Sequence, residues 1–304
     1  MKNMKNKTTK NNMINYGIVI VLFVIVQALS STGNLSRLLM GLLVPLCVYT
    51  IASVSLNLVV GFSGELSLGH AGFMCVGAFS GAFFTKVAES AIPSVGVRFF
   101  IALLIGAAVA GLCGFLIGIP VLRLKGDYLA IVTLAFGEIV KNVMNACYLG
   151  VDSHGLHFSL KDSASLNLGV DGKVLINGAM GITGIKKAST FTIGIVLVII
   201  TLLVILNLVN SRAGRAIKAI RDNEIAARSV GIPITKYKLM AFVTSAVFAG
   251  VAGVLYALNY SSLVAKKFDY NTSILILVFV VLGGIGNLRG SVIAAAVCIS
   301  PSTS

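Results

Sequence analysis

Three stretches of the chain gather the ionisable side chains that could do chemical work. Gly61 to Phe73 (GFSGELSLGHAGF) sets Glu65 and His70 among four glycines and two serines. Arg123 to Ile139 runs from a basic turn into an apolar stretch that carries Glu138, with Lys141 three positions further on. Arg212 to Gly231 (RAGRAIKAIRDNEIAARSVG) is dense in charge of both signs. None has the spacing of a known catalytic or metal centre. His70, His154 and His157 form no HExxH, and the five cysteines (Cys47, Cys75, Cys113, Cys147, Cys298) stand singly in apolar segments without a CxxC. Isolated cysteines of this kind are small buried hydrophobes. The Gly-rich stretch Leu282 to Ser291 lacks the Lys-Ser/Thr of a phosphate-binding loop, and Gly172-Lys173 is followed by Val174. Catalysis and nucleotide binding are therefore not expected of this chain. What remains is the meaning of an acid or a histidine beside hydrocarbon: such groups are costly to place there, and they mark functional positions.

The elements that must hold these residues are set by composition. Hydrophobic residues make up 57% of 304 and charged residues 11%, with a mean hydropathy of +0.97. Soluble domains carry about 25% charged residues, so this chain is suited to a bilayer. Candidate spans, each near the roughly 20 apolar residues that cross a membrane, are 14–29, 38–60, 71–85, 99–120, 128–149, 189–210, 239–260 and 272–285, with a last apolar stretch from Gly290. The expected fold is all-α, a polytopic transmembrane bundle of about 8–9 membrane segments. Lys and Arg are denser on the side shared by residues 1–13 and 211–238, which places the N-terminus in the cytoplasm by the positive-inside rule. The net charge of +14 then marks cytoplasmic span ends, not a nucleic-acid partner. The expected organisation is a cytoplasmic tail at 1–13, a membrane domain over 14–299 with an external loop at 150–188 and a cytoplasmic loop at 211–238, and a short tail at 300–304. Gly77-x-x-x-Gly81 and Gly114-x-x-x-Gly118 let helix backbones approach closely.

Local chemistry adds detail. The glycines of 61–73 break or bend a helix, and irregular backbone near membrane depth survives only where protein buries it or water reaches it. That makes Glu65, His70 and Phe73 candidates for a substrate path, alongside Glu138. Asp127 is placed to cap the next helix, and Glu138 pairs with Lys141. Residues 212–231 read as one short amphipathic helix with Lys218–Asp222 and Glu224–Arg228 pairs. Ile217, Ile220, Ala227 and Val230 lie on one side, Gly231 ends it and Pro233 prevents its continuation.

Four ordered stretches, LNLVVGFSGELSLGHAGF (56–73), RLKGDYLAIVTLAFGEIV (123–140), GRAIKAIRDNEIAARSVGI (214–232) and GGIGNLRGSVIAAA (283–296), resemble the LivM-type permeases of the branched-chain amino acid ABC transporters (the LivH/LivM permease family). The resemblance runs from about Leu42 to Val297. It implies a non-enzymatic permease subunit in a bacterial or archaeal cytoplasmic membrane. Its implied partners are a second homologous permease, two cytoplasmic ATPase subunits that hold ATP and Mg, and an external binding protein that delivers Leu, Ile or Val. It also implies that Glu224, Ala226, Ala227 and Gly231, with Arg221 just before them, form the loop that couples to an ATPase. Related permeases that carry urea or short amides, and ion-coupled secondary transporters with broken helices, are the competing readings. The family continues through further hydrophobic segments after GGIGNLRG, whereas this chain ends at Cys298–Ser304. The ten residues from Gly290 to Ile299 reach about 15 Å as a helix, half the hydrocarbon core, and are expected to be a disordered end left by truncation.

Overall fold

A computed structural model describes residues 17, 37–89, 91–124, 126–152, 155–162, 164–166 and 172–299. Apart from Gly17, the expected span 14–29 lies outside the described residues, as do His154, Asp171 and the tail 300–304.

The apolar runs form helices with interruptions where glycine and asparagine allow them. Helix α1 (Arg37–Asn57) passes into a π-helical turn, Leu58–Ser63. After six residues without regular structure come α2 (His70–Val87), α3 (Val95–Val121) and α4 (Asp127–Ala146). Then follow α5 (Phe191–Asn210), α6 (Arg212–Asp222), α7 (Glu224–Ser229), α8 (Ile234–Ala257), α9 (Tyr270–Leu282) and α10 (Leu288–Cys298). Five of the described helical segments are long and apolar enough to cross a membrane: Leu39–Ser63, α3, α4, α5 and α8. The chain is a membrane-spanning helical bundle with several apolar spans.

The bundle is organised around α8, which packs on α1, α2 and α3. Glycine makes that approach possible. A Cβ on Gly77 would lie 2.4 Å from Gly250 Cα, one on Gly106 2.9 Å from Gly77 O, and one on Gly253 2.0 Å from Met74 O. Gly77 thus meets both α3 and α8 backbone to backbone, as its GxxxG spacing suggested. Gly114 and Gly118 instead receive side chains of α8, those of Ala246, Leu239 and Phe242.

Three expectations are corrected. The segment between α4 and α5 is not plain loop, so the fold is not purely α. Strands β1 (Tyr148–Asp152), β2 (Gly155–Ser159) and β3 (Lys173–Asn177) form an antiparallel sheet in the order β2-β1-β3. A short pair, β4 (Ile182–Thr183) with β5 (Ser262–Leu263), joins this segment to the α8–α9 connection, with Ile182 opposite Leu263. Asp127 is the first helical residue of α4, after Gly126 at φ 58°, so it contributes an acidic group to the first turn, where the helix dipole favours negative charge, and is not the cap. The stretch after Gly290 belongs to a packed helix and is not a disordered end. Asn287 caps α10 by accepting from Gly290 N, and Leu288, Ser291, Ala294 and Ala295 are buried, with α1 and α9 as the neighbours.

Candidate functional site

The two glycine-rich interruptions lie far apart in sequence and dock on each other. Asn57, at the end of α1, is completely buried. Its Oδ1 accepts from Gly286 N at 2.9 Å, and its Nδ2 donates to Ser291 Oγ at 2.7 Å. Gly61 makes room for this: a Cβ there would lie 1.9 Å from Asn57 Oδ1 and 2.3 Å from Gly286 N. The second interruption turns through Gly284 and Gly286 at φ 90° and 82°, a region that glycine enters without steric cost. An amide side chain with one acceptor and two donors is well suited to satisfy backbone that has left its helix.

The charged segment then seals the junction from one end. Arg221 on α6 donates from Nη1 to Gly61 O at 2.8 Å, and its Nε and Nη2 engage Asp222 Oδ1 at 3.1 and 2.9 Å. Gly64, left-handed at φ 75°, lies under the Arg221 stem, and a Cβ there would meet Arg221 Cγ at 2.7 Å. Lys218 sits 5.5 Å above the Phe62 ring, within cation–π range. Burial first, and the Arg221 charge second, hold its ammonium below the usual lysine range.

Glu65 is buried and bonded. Lys238, at the start of α8, reaches Glu65 Oε1 at 2.5 Å and Glu224 Oε2 at 3.1 Å. Glu224 in turn meets Arg228 Nη2 at 3.4 Å. One lysine therefore joins the first interruption, the charged segment and the central helix. A buried lysine is tolerated in this way because opposite charge surrounds it.

The charged segment departs from the single helix expected. Asn223, extended at φ −157°, ends α6 and caps α7 by accepting from Ala226 N at 3.0 Å. The bend keeps Ile217, Ile220 and Ala227 buried but turns Val230 outward, 74% exposed, beside Ile225 at 83%. Ala226 is exposed as well. Glu224–Arg228 forms as expected, whereas Asp222 pairs with Arg221 and Lys218 lies on Phe62. Gly231 has φ 80°, the left-handed turn that ends α7.

The other sequence candidates lie elsewhere. His70 is buried with Nε2 2.9 Å from Ser55 Oγ, and Phe73 packs edge-on against Phe242 with Phe136 at 5.0 Å between ring centres. Glu138 pairs with Lys141 and accepts from Tyr270 N at 3.1 Å. That contact is at the first residue of α9, while the junction is past its last, about 20 Å away along a 13-residue helix. The structure thus joins Glu65 to Glu224 through Lys238, sets Arg221 on Gly61 of the same interruption, and leaves Glu138 apart. Asn57, Lys238 and Ser291 were not singled out by sequence. The signal for Asn57 was its amide at the end of an otherwise apolar run, next to the first glycine cluster.

Residues 38–300 match the family described as branched-chain amino acid transport system / permease component. The high-affinity branched-chain amino acid transport system permease protein LivM of Salmonella typhimurium is 36% identical over 263 residues, covering 83% of this chain and 60% of the relative. The probable branched-chain amino acid transport permease protein LivM of Methanocaldococcus jannaschii is 27% identical over 274 residues, 80% of this chain and 74% of the relative. The fructose import permease protein FruG of Bifidobacterium longum is 24% identical over 297 residues, 94% of this chain and 81% of the relative. No solved structure is significantly similar to the chain. The family match spans most of the chain and contains both glycine-rich interruptions and the charged segment that seals them, so the chain belongs to the branched-chain amino acid transport system permease family.

Proposed function

We propose that the chain is the membrane-spanning permease subunit of an ATP-driven importer for leucine, isoleucine and valine in a bacterial or archaeal cytoplasmic membrane. The observation that carries the reading is the fastening of a surface-exposed charged helix pair, α6–α7, to irregular backbone inside the bundle through Arg221 and Gly61. Such a pair gives a force-generating partner a handle on the membrane-embedded part. Ile225, Ala226 and Val230 are then the apolar contacts for an ATPase subunit, and ATP with its Mg ion binds that subunit. The Lys/Arg distribution supports a cytoplasmic position for this end. The β1–β3 sheet, at the other end of the bundle, faces the external binding protein. A second permease of the same family completes the membrane part. Counting α2, α9, α10 and the apolar run 14–29 with the five long spans brings the membrane segments to nine. The substrate path runs along 61–73, past Glu65, His70 and Phe73, and opens as the two interruptions separate. Glu138, on α4, lies further along the path, beside the start of α9.

Two measurements test the reading. A cysteine at Ile225 should crosslink to a co-expressed ATPase subunit in membranes, while one at Leu112 on α3 should not; absence of a crosslink at Ile225, Ala226 and Val230 in an assembled complex removes the docking assignment. The complete complex in liposomes should accumulate labelled leucine, isoleucine and valine only with ATP inside the compartment that bears α6–α7. Uptake of urea, a short amide or fructose instead would reassign the cargo. Uptake that ignores ATP and collapses with an ion gradient would make the chain a secondary transporter.

A further inference from the structure

Lys238 stands where three parts of the structure meet, and the geometry points to a role beyond holding them together. Its ammonium is 2.5 Å from Glu65 and 3.1 Å from Glu224, and all three side chains are largely withdrawn from solvent. Glu65 is one residue past the left-handed Gly64 that ends the π-helical turn. Glu224 is the first residue of α7, and Lys238 belongs to the first turns of the central helix α8. Beside the Lys218 contact with the Phe62 ring, the other polar tie between the charged segment and the interruption is Arg221 to Gly61 O. The two ties differ in kind. The Arg221 bond goes to a backbone carbonyl, which keeps the same charge in every conformation. Lys238 has two carboxylates competing for one ammonium. A shift of α7 that moves Glu224 away leaves Lys238 to Glu65 alone, and one that pulls Lys238 with it leaves Glu65 buried without its cation, which is strongly unfavourable.

We propose that Lys238 is a positioning residue that makes the conformation of the first interruption depend on the position of α7. A displacement of α7 is thereby passed to Glu65 and to the backbone at 64–69. This rests on the importer reading above, and it adds a specific prediction: the lysine links ATP use to movement of the interruption, while assembly rests on the Arg221 contact and on the apolar packing of Ile217, Ile220 and Ala227.

The test uses the complete complex in liposomes with K238M, K238R, and the exchange E65K/K238E, which places the cation on the interruption and leaves it facing both Glu224 and the new glutamate. ATP hydrolysis by K238M should stay within about twofold of wild type while amino-acid uptake per ATP falls at least tenfold. K238R and the exchange should each recover at least a third of the wild-type ratio. A second readout needs no cargo. The thiol of L66C, next to Glu65 and on a partly exposed position, should change its maleimide labelling rate at least threefold between nucleotide-free and ATP-bound complex, and K238M should abolish that change. An unchanged uptake-to-ATP ratio in K238M overturns the proposal. So does an L66C labelling rate that does not respond to ATP in the wild-type background, or a loss in K238M that neither K238R nor the exchange recovers. A wild-type complex that hydrolyses ATP, shows the L66C response and imports none of the three amino acids leaves the linkage standing and removes the cargo assignment.

Discussion

Gly253→Val yields essentially no monodisperse protein after extraction from the membrane, and Gly77→Val behaves the same way. A side chain at Gly253 begins 2.0 Å from Met74 O and 3.0 Å from Ala78 N, and one at Gly77 begins 2.4 Å from Gly250 Cα. These are backbone atoms of α2 and α8, so no rotamer change relieves the collision. The helices must separate by more than about 1 Å, which forfeits a large share of the dispersion attraction along the seam. Overpacking a core costs about 1–3 kcal/mol where side chains can adjust. Here they cannot, and the cost reaches or exceeds the top of that range against a total stability of about 5–15 kcal/mol. Gly96→Val is the matched control, because nothing lies within 4 Å of its Cβ direction. The fraction of material in the monodisperse peak of size-exclusion chromatography decides it. A Gly253→Val peak equal to that of Gly96→Val would mean that α2 and α8 do not meet at this seam.

Among the described residues, Asn57→Ala lowers the unfolding midpoint by the largest amount of any single truncation of an uncharged polar side chain. The substitution takes away the acceptor for Gly286 N and the donor to Ser291 Oγ, at a position with no exposure to solvent. An orphaned buried donor costs about 1–3 kcal/mol. Among the described residues, Gly286 N meets no other acceptor. Ser291 is less affected, since its hydroxyl also donates to Asn287 O at 3.3 Å. The two positions therefore contribute unequally: Ser291→Ala alone costs less than half as much as Asn57→Ala. The double variant falls short of the sum by more than about 0.5 kcal/mol, as expected for groups in one network. Thermal unfolding followed with a thiol-reactive dye on the buried Cys47 and Cys75 gives the comparison. Equal midpoints for Asn57→Ala and wild type would show that the interruptions are held by packing alone.

Periodic apolarity made the long helices legible, because a spanning segment declares itself through length and lack of charge. The glycine clusters at 61–73 and 283–290 were also legible as interruptions. Their mutual docking was not, since nothing local in either cluster names the other. Glu65 could be recognised as a costly acid, but its cation, Lys238, reads by itself as an ordinary basic residue at the cytoplasmic start of a span. The bend between α6 and α7 was written in the sequence: Asn223 is a favoured cap residue with helix formers after it. The four-apart charge pairs and the strong amphipathic pattern on both sides masked it. The sheet after α4 was missed for a different reason. Its strands are five residues each, too short for alternation to stand out from an irregular polar connection.

The contact between Asn57 and Ser291 crosses 234 residues of chain, and that distance sets a schedule for biogenesis. A ribosome adds about 5–20 residues per second, so roughly 10–50 s separate synthesis of the asparagine from synthesis of its serine. At the start of that interval the first interruption is already in the nascent chain, with the Asn57 amide, the Gly61 carbonyl and the Glu65 carboxylate all lacking their final partners. Arg221 and Lys238 emerge before α10 does, so the ionic contacts form while the amide clamp is still open. Insertion of the early helices must therefore leave this polar seam beside the translocation machinery, or beside lipid headgroups, until α10 arrives. A ribosome stalled before Gly286 should hold a bundle whose seam remains open to water-soluble thiol reagents, and release of the remaining residues should close it.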